Sequence, residues 1–202
     1  MHTAPYSRVR RLLSVAAAGI LAVSLTACTG RGGGQLPPSA GFTGAASFGF
    51  SFSCQDSGGI NPPTGRLHVE LSYNDKGGNP IGSAFSIHGI VDTIDAVTES
   101  MICIGQNPPP GGNELIFLGR YYLTSSAPAG FPSTCPTRDS ATTPMCRFEV
   151  IVRDNDKSRA PSAGDWFQIA LSGGTAVESE LLPGTVFYTR GGLLSSGNVT
   201  VG

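Results

Sequence analysis

Beyond residue 40, apolar side chains recur at every second position of the chain. Phe48, Phe50 and Phe52, for example, alternate with glycine and serine. The same period of two continues through residues 67–73, 85–89, 116–122, 148–152, 167–171, 186–188 and 199–201. Successive side chains of a strand point to opposite faces of a sheet, so this period predicts short β-strands that each bury one face.

Glycine, proline and small polar residues separate these segments. The stretches "NDKGG" at 74–78, "GQNPPPGGN" at 105–113 and the whole of 125–144 are typical of turns and loops. No window beyond residue 40 sustains a helical period of apolar positions with a cap at each end. We therefore predict about seven to nine strands in an all-β fold, an antiparallel Ig-like β-sandwich, with a small β-barrel as the alternative.

The first 27 residues have the pattern of a secretory signal. Three arginines within positions 8–11 precede an uncharged apolar run from Leu12 to Leu25, and small residues follow that run. The run is 14 residues long. A membrane-spanning helix needs about 20 residues, so this segment is not expected to serve the mature protein as a membrane span.

The apolar run ends in "LTAC", residues 25–28, which resembles the lipobox of bacterial lipoproteins. This resemblance implies diacylation of the Cys28 sulfur, cleavage before Cys28 and acylation of the new amino terminus. An ordinary signal peptide with a chance cysteine is the alternative, and Arg10-Arg11 leaves a twin-arginine signal open. We expect a signal peptide at 1–27, the lipidated cysteine with a flexible Gly/Pro-rich tether at 28–40, and one domain at 41–202. The protein would then be exported and held by lipid at the bacterial cell envelope.

Charge argues against one class of partner. The chain has 13 basic and 14 acidic side chains, and removal of the signal would leave a net charge near −4. An acidic surface without a basic stripe has no attraction for polyanions, so nucleic acid is not expected as a partner.

Four cysteines remain beyond Cys28, an even number that predicts two disulfides in an oxidising compartment. We predict the pairs Cys54–Cys103 and Cys135–Cys146. The second pair would close a short loop that contains two prolines. For the first pair, Cys54 continues the inward parity of the preceding phenylalanines, and Cys103 lies in the apolar stretch "MICI".

Three aspartates follow one another closely in "RDNDKSRAPSAGD", residues 153–165. Asp154 and Asp156 have the spacing with which a calcium loop begins, and Asp165 could close such a loop. The sixth residue from Asp154 is an arginine where an EF-hand loop needs glycine, and neighbouring basic residues oppose a cation. We therefore expect a turn whose aspartates serve backbone groups and solvent, with a Ca²⁺ site as the alternative.

Trp166 is the best candidate for an exposed aromatic side chain. If Phe167 points inward, the period of two turns Trp166 outward, where an indole ring can stack on a sugar. We favour packing in the core or at a sheet edge for the aromatic residues, with a carbohydrate-binding platform at Trp166 as the alternative. No Gly-x-Ser-x-Gly or Ser-x-x-Lys motif occurs in the sequence, and we name no catalytic residue.

Five β-typical stretches follow one another along the chain: "LSYND", "FSIHGIVDTI", "FEVIVRDND", "GDWFQIALSGG" and "VFYTRGGLLSSGNVTV". In their order and wording they resemble a post-COAP-like bacterial domain. The resemblance implies a β-sandwich of the kind carried by exported and surface proteins, with no assigned biochemical activity. The chain departs from the family at the acidic turn. The family usually has Asp-Asn-Gly followed by Glu-Pro-Gly, whereas this chain has Asp154-Asn155-Asp156-Lys157 and a longer loop.

These observations favour a lipid-anchored, non-catalytic cell-envelope protein with a binding, adhesion or structural role. Its expected partners are the membrane, through the lipid, and an envelope protein or glycan. The alternative function is that of a small envelope hydrolase acting on glycan or ester.

Overall fold

The computed structural model describes residues 28–55, 66–90, 112–138, 146–155, 164–173 and 185–202. Nine β-strands and no helix lie in these ranges: β1 (Cys28–Leu36), β2 (Ala46–Gln55), β3 (Arg66–Asp75), β4 (Phe85–Ile90), β5 (Glu114–Leu123), β6 (Cys146–Arg153), β7 (Trp166–Gly173), β8 (Thr185–Leu193) and β9 (Ser196–Val201). The all-β prediction is confirmed. In the described part of the chain, no helix has the length and apolarity needed to cross a membrane. The predicted signal at 1–27 lies outside the described residues.

All nine strands are hydrogen-bonded into one sheet of order β8-β7-β6-β5-β4-β3-β2-β1-β9. Every pairing is antiparallel. The two edge strands, β8 and β9, are joined by Leu194 and Ser195 alone. So short a link requires the sheet to curl until its two edges approach each other, as in a half-barrel. The Ig-like arrangement of two separate sheets is not confirmed.

The concave face of the curled sheet holds a core rich in aromatic rings. The ring of Phe48 on β2 stacks on Phe167 of β7 with centroids 3.7 Å apart. Phe50 and Phe52 each lie 5.3 Å from Phe117 of β5. Strands β2 and β7 are five positions apart in the sheet, so only a curled sheet brings their inner faces together. The predicted inward positions of β2 are therefore confirmed as core.

The segment predicted to be a flexible tether is, over residues 28–36, an interior strand of the sheet. β1 is hydrogen-bonded to β2 on one side and to β9 on the other. Its glycines allow this because the neighbours approach closely: a β-carbon on Gly32 would lie 2.6 Å from the Asn198 carbonyl oxygen. The prediction was wrong because a run of glycines has the composition of a linker, and only the packing shows that the missing side chains make room for other strands.

The Cys135–Cys146 disulfide is present, with Cα atoms 5.3 Å apart. It ties the loop that follows β5 to the first residue of β6, and the Tyr121 hydroxyl lies 3.2 Å from the Cys135 sulfur. Cys54 lies on β2, but Cys103 is outside the described residues. The Cys54–Cys103 pair therefore stays a prediction.

Replacing Gly32 by alanine is expected to destabilise the protein by about 1–3 kcal/mol, the usual cost of overpacking. The new β-carbon would press on the Asn198 carbonyl and on the Phe50 ring. The measurement is urea unfolding of the variant and the wild type. The matched control is Gly49→Ala on β2, where a β-carbon meets nothing closer than 3.9 Å, so stability should stay the same or rise slightly. Equal stability of Gly32→Ala and wild type would show that residues 28–36 behave as a tether.

Candidate functional site

Trp166 is the first residue of β7 and lies half-buried on the convex, outer face of the sheet. Its cross-strand partners are Arg153 on β6 and Leu193 on β8, and Glu114 on β5 lies opposite Arg153. These four residues form a row across four adjacent strands. Neighbouring strands are about 4.8 Å apart, so the row is roughly 14 Å long.

Arg153 is held between a carboxylate and the indole ring of Trp166. Its Nε donates to Oε2 of Glu114, and its guanidinium carbon lies 6.0 Å from the ring centroid. The side chains of Arg153 and Glu114 are 48% and 40% exposed, so the ion pair is solvated and worth about 1 kcal/mol or less. Its importance is positional, because it keeps a cationic hydrogen-bond donor beside the ring.

Leu193 flanks the other edge of the row and is 52% exposed. The next row along the strands places Ile116 opposite Ile151, Ile151 opposite Gln168, and Gln168 opposite Gly191. Gly191 has no side chain, and the Gln168 side chain lies over it. A β-carbon on Gly191 would be only 2.8 Å from Gln168 Cβ. We call the two rows together the Trp166 platform: Glu114, Arg153, Trp166, Leu193, Ile116, Ile151, Gln168 and Gly191.

The platform combines apolar surface with polar groups at its margins. The indole and the neighbouring aliphatic side chains can contact the apolar face of a ring-shaped ligand. The guanidinium of Arg153, the carboxylate of Glu114 and the amide of Gln168 supply donors and acceptors for hydroxyl groups. The outward direction predicted for Trp166 from the period of two thus agrees with its position on the outer face.

Asp154 and Asp165, by contrast, are buried and point to strand β9. Asp165 accepts hydrogen bonds from the Val199 amide through Oδ2 at 2.7 Å and from the Asn155 amide through Oδ1 at 3.0 Å. Asp154 Oδ2 accepts from the Val201 amide at 3.1 Å. The carboxylates therefore satisfy backbone groups of an edge strand as well as of their own turn.

The calcium alternative is not tested by these contacts. Asp156, the third candidate ligand, lies outside the described residues. Within the described ranges, no group of three or more His, Cys, Asp and Glu side chains is arranged to hold a metal ion. The Ca²⁺ site at Asp154, Asp156 and Asp165 stays a prediction, and both oxygens of Asp165 are already occupied by amides.

A buried ion pair, which the sequence reasoning missed, joins Asp75 at the end of β3 to Arg190 on β8. Nη1 of Arg190 donates to Asp75 Oδ2 at 2.9 Å, and both side chains are at most 1% exposed. The Tyr188 hydroxyl donates to the same oxygen at 2.6 Å. Tyr73 therefore donates to Tyr188, since the two hydroxyls are 2.6 Å apart and the proton of Tyr188 is engaged. The available signal was Arg190 itself, which carries a charge at the inward parity set by Tyr188.

The other side of Arg190 holds the segment that links β1 to β2. Nη2 donates to the carbonyl oxygens of Gly44 at 2.7 Å and Pro37 at 3.1 Å. The guanidinium lies over the Phe42 ring, 4.8 Å from its centroid. One side chain thus fixes the 37–44 segment against β8 and β3.

Burial controls ionisation in this cluster. It raises the pKa of Tyr73 and of Tyr188 well above the usual range, so both hydroxyls stay protonated. Burial opposes the charge of Arg190, but the hydrogen bond to Asp75 and the neighbouring tyrosines outweigh it and raise its pKa. All hydrogen-bonding atoms of Asp75 and Arg190 except Arg190 Nε have partners, which indicates a structural role for the pair.

Comparisons of the chain with protein-family models, with curated proteins and with solved structures found no match.

Replacing Arg190 by methionine is expected to destabilise the protein by about 3–5 kcal/mol, because the charge of Asp75 would be buried without its partner. Chemical denaturation measures the free energy of unfolding. The double variant Asp75→Asn, Arg190→Met should lose less than the sum of the two single variants, since it leaves no uncompensated charge. Additive losses would show that the two side chains act independently.

Proposed function

We propose that the protein is an exported, lipid-anchored and non-catalytic component of the bacterial envelope that binds a glycan through the Trp166 platform. The observation that carries this proposal is the half-buried indole on the outer sheet face, flanked by Arg153 and by the exposed Leu193. The post-COAP-like resemblance supports this proposal, because it implies a β-sandwich of the kind carried by exported proteins, with no assigned biochemical activity.

The chemistry of the platform favours a glycan over other ligands. A sugar ring has an apolar face of C–H groups, suited to the indole, and hydroxyl groups around its rim. Those hydroxyls can bond to the donors and acceptors of Arg153, Glu114 and Gln168. A purely apolar ligand would leave these polar groups without partners. An open, convex sheet face also suits an extended polymer, which needs no deep cavity. The other candidate partner is an envelope protein, and the binding experiment below distinguishes it from a glycan.

The anchor is supported by the "LTAC" sequence at 25–28. Cys28 opens β1, and the next residue, Thr29, exchanges two backbone hydrogen bonds with Gly202, at 2.8 and 2.9 Å. A lipid on Cys28 would therefore be attached to the sheet directly. The domain would lie close to the bilayer with a restricted orientation.

Replacing Trp166 by alanine is expected to weaken glycan binding by about tenfold or more, equivalent to about 1.4 kcal/mol or more of binding free energy. The probes are soluble peptidoglycan fragments and a soluble capsular polysaccharide, titrated by calorimetry. Trp166 is the single tryptophan of the chain, so saturable quenching of the wild-type emission reports the same event.

The matched control for this test is Val186→Ala. Val186 is 46% exposed on β8 but lies outside the platform, so its loss should leave affinity unchanged. Equal affinity of Trp166→Ala and wild type, or no binding of either glycan with capture of an envelope protein instead, would overturn the glycan proposal. Release of glycan fragments during incubation would favour the hydrolase alternative.

Replacing Cys28 by alanine is expected to release the protein from membranes or to block its processing, because the sulfur that carries the diacylglyceryl group is removed. The measurement is detergent-phase partition together with intact mass. The control Cys54→Ala should partition with membranes like the wild type. A Cys28→Ala protein that stays in the detergent phase with the mass change of its substitution alone would contradict the anchor.

A further inference from the structure

Two cysteines that the sequence separates by 26 positions are direct partners in the sheet. Cys28 at the start of β1 lies opposite Cys54 near the end of β2 in the antiparallel register. We infer that Cys54 is the disulfide partner of Cys28 in any chain whose Cys28 is not acylated. Acylation and this disulfide then compete for one sulfur.

The hydrogen-bond pattern defines the geometry of this pair. Both polar backbone groups of Thr29 bond to Gly202, next to β9, so those of Cys28 face β2. Cys28 and Cys54 thus occupy a hydrogen-bonded position of the antiparallel pair, where Cα atoms are about 5.5 Å apart. Disulfides have Cα separations of about 4.4–6.8 Å, most often near 5.5–6 Å. The Cα separation typical of this position therefore lies within the disulfide range.

The two positions also belong to the same face of the sheet. Side chains alternate along a strand, so position 28 shares its face with Gly30 and position 54 shares its face with Phe52. Phe52 and Gly30 are both buried on the concave side. Both positions therefore lie on the concave side. This agrees with their pairing, because directly opposite residues of neighbouring strands share one face of the sheet.

The chemistry balances with an ordinary oxidant. Two thiols lose two protons and two electrons to form the sulfur–sulfur bond, and a disulfide-bearing oxidant accepts them and becomes a dithiol. Lipidation instead transfers a diacylglyceryl group from a phospholipid: the Cys28 sulfur bonds to a glycerol carbon as a thioether, and the phosphate head group leaves. Thiol exchange does not reverse this thioether bond. A chain oxidised first cannot be acylated until the bridge is reduced, and an acylated chain leaves Cys54 available to Cys103. The competition rests on the proposed lipid anchor, whereas the bridge itself rests on the register alone.

The test uses the full-length chain purified without acylation from a reducing cytoplasm and then oxidised with glutathione disulfide. Free thiols are alkylated, and the protein is digested with trypsin without reduction. Cleavage after Arg31 and after Arg66 places Cys28 and Cys54 on separate peptides, and each contains no other cysteine. Mass spectrometry should find these two peptides joined.

Two variants sharpen this test. Cys103→Ala should keep the joined peptides, and Cys54→Ala should leave Cys28 open to a maleimide. Cys54 joined to Cys103 in the unacylated wild type, or both thiols found alkylated, would overturn the inference. In wild type extracted from membranes, acylated Cys28 should be absent from any bridge. A membrane fraction with unacylated Cys28 joined to Cys54 would overturn the anchor and leave the bridge standing.

Discussion

The buried ion pair between Asp75 and Arg190 is the interaction on which the curl of the sheet depends. It connects β3 to the edge strand β8, five positions away in the sheet order, inside an aromatic core. A charge in such surroundings is tolerated only when its hydrogen-bonding capacity is met. Both oxygens of Asp75 are occupied, Oδ1 by Gly77 and Asn79 and Oδ2 by Tyr188 and Arg190. A flatter sheet would separate Asp75 from Arg190 and Tyr188, and the ion pair and its hydrogen bonds would be lost.

The curled sheet still has edge strands, whose outward backbone amides need hydrogen-bond acceptors. At β9, the carboxylates of Asp154 and Asp165 accept the amides of Val201 and Val199, which face away from β1. Unpaired amides on an edge strand invite pairing with other chains, and side-chain acceptors prevent that. Asp165 directly precedes Trp166, the first residue of β7. Closure of the β9 edge and presentation of the platform therefore involve adjacent residues.

Predictions that depend on residues close together in the sequence agree with the structure. The period of two located the core phenylalanines of β2, the outward direction of Trp166 and the alternation of β6 and β7. The Cys135–Cys146 bridge was also predictable, because its two residues are 11 positions apart. The prediction of a flexible tether at 28–40 was wrong over 28–36, because a linker and a tightly packed glycine strand have the same composition. The turn aspartates were expected to bond to backbone groups, but no sequence signal pointed to β9.

The sequence by itself determined where strands form and which face of each is apolar, because both depend on residues one or two positions apart. The tertiary structure alone decided the order of strands, the curl and the partners of every buried charge. Arg190 meets Asp75 across 115 positions, and Asp154 meets Val201 across 47. Such distant pairings cannot be predicted from composition or local pattern. They form only when the strands share one sheet, because a buried polar group must then bond to the neighbour that the strand register places beside it.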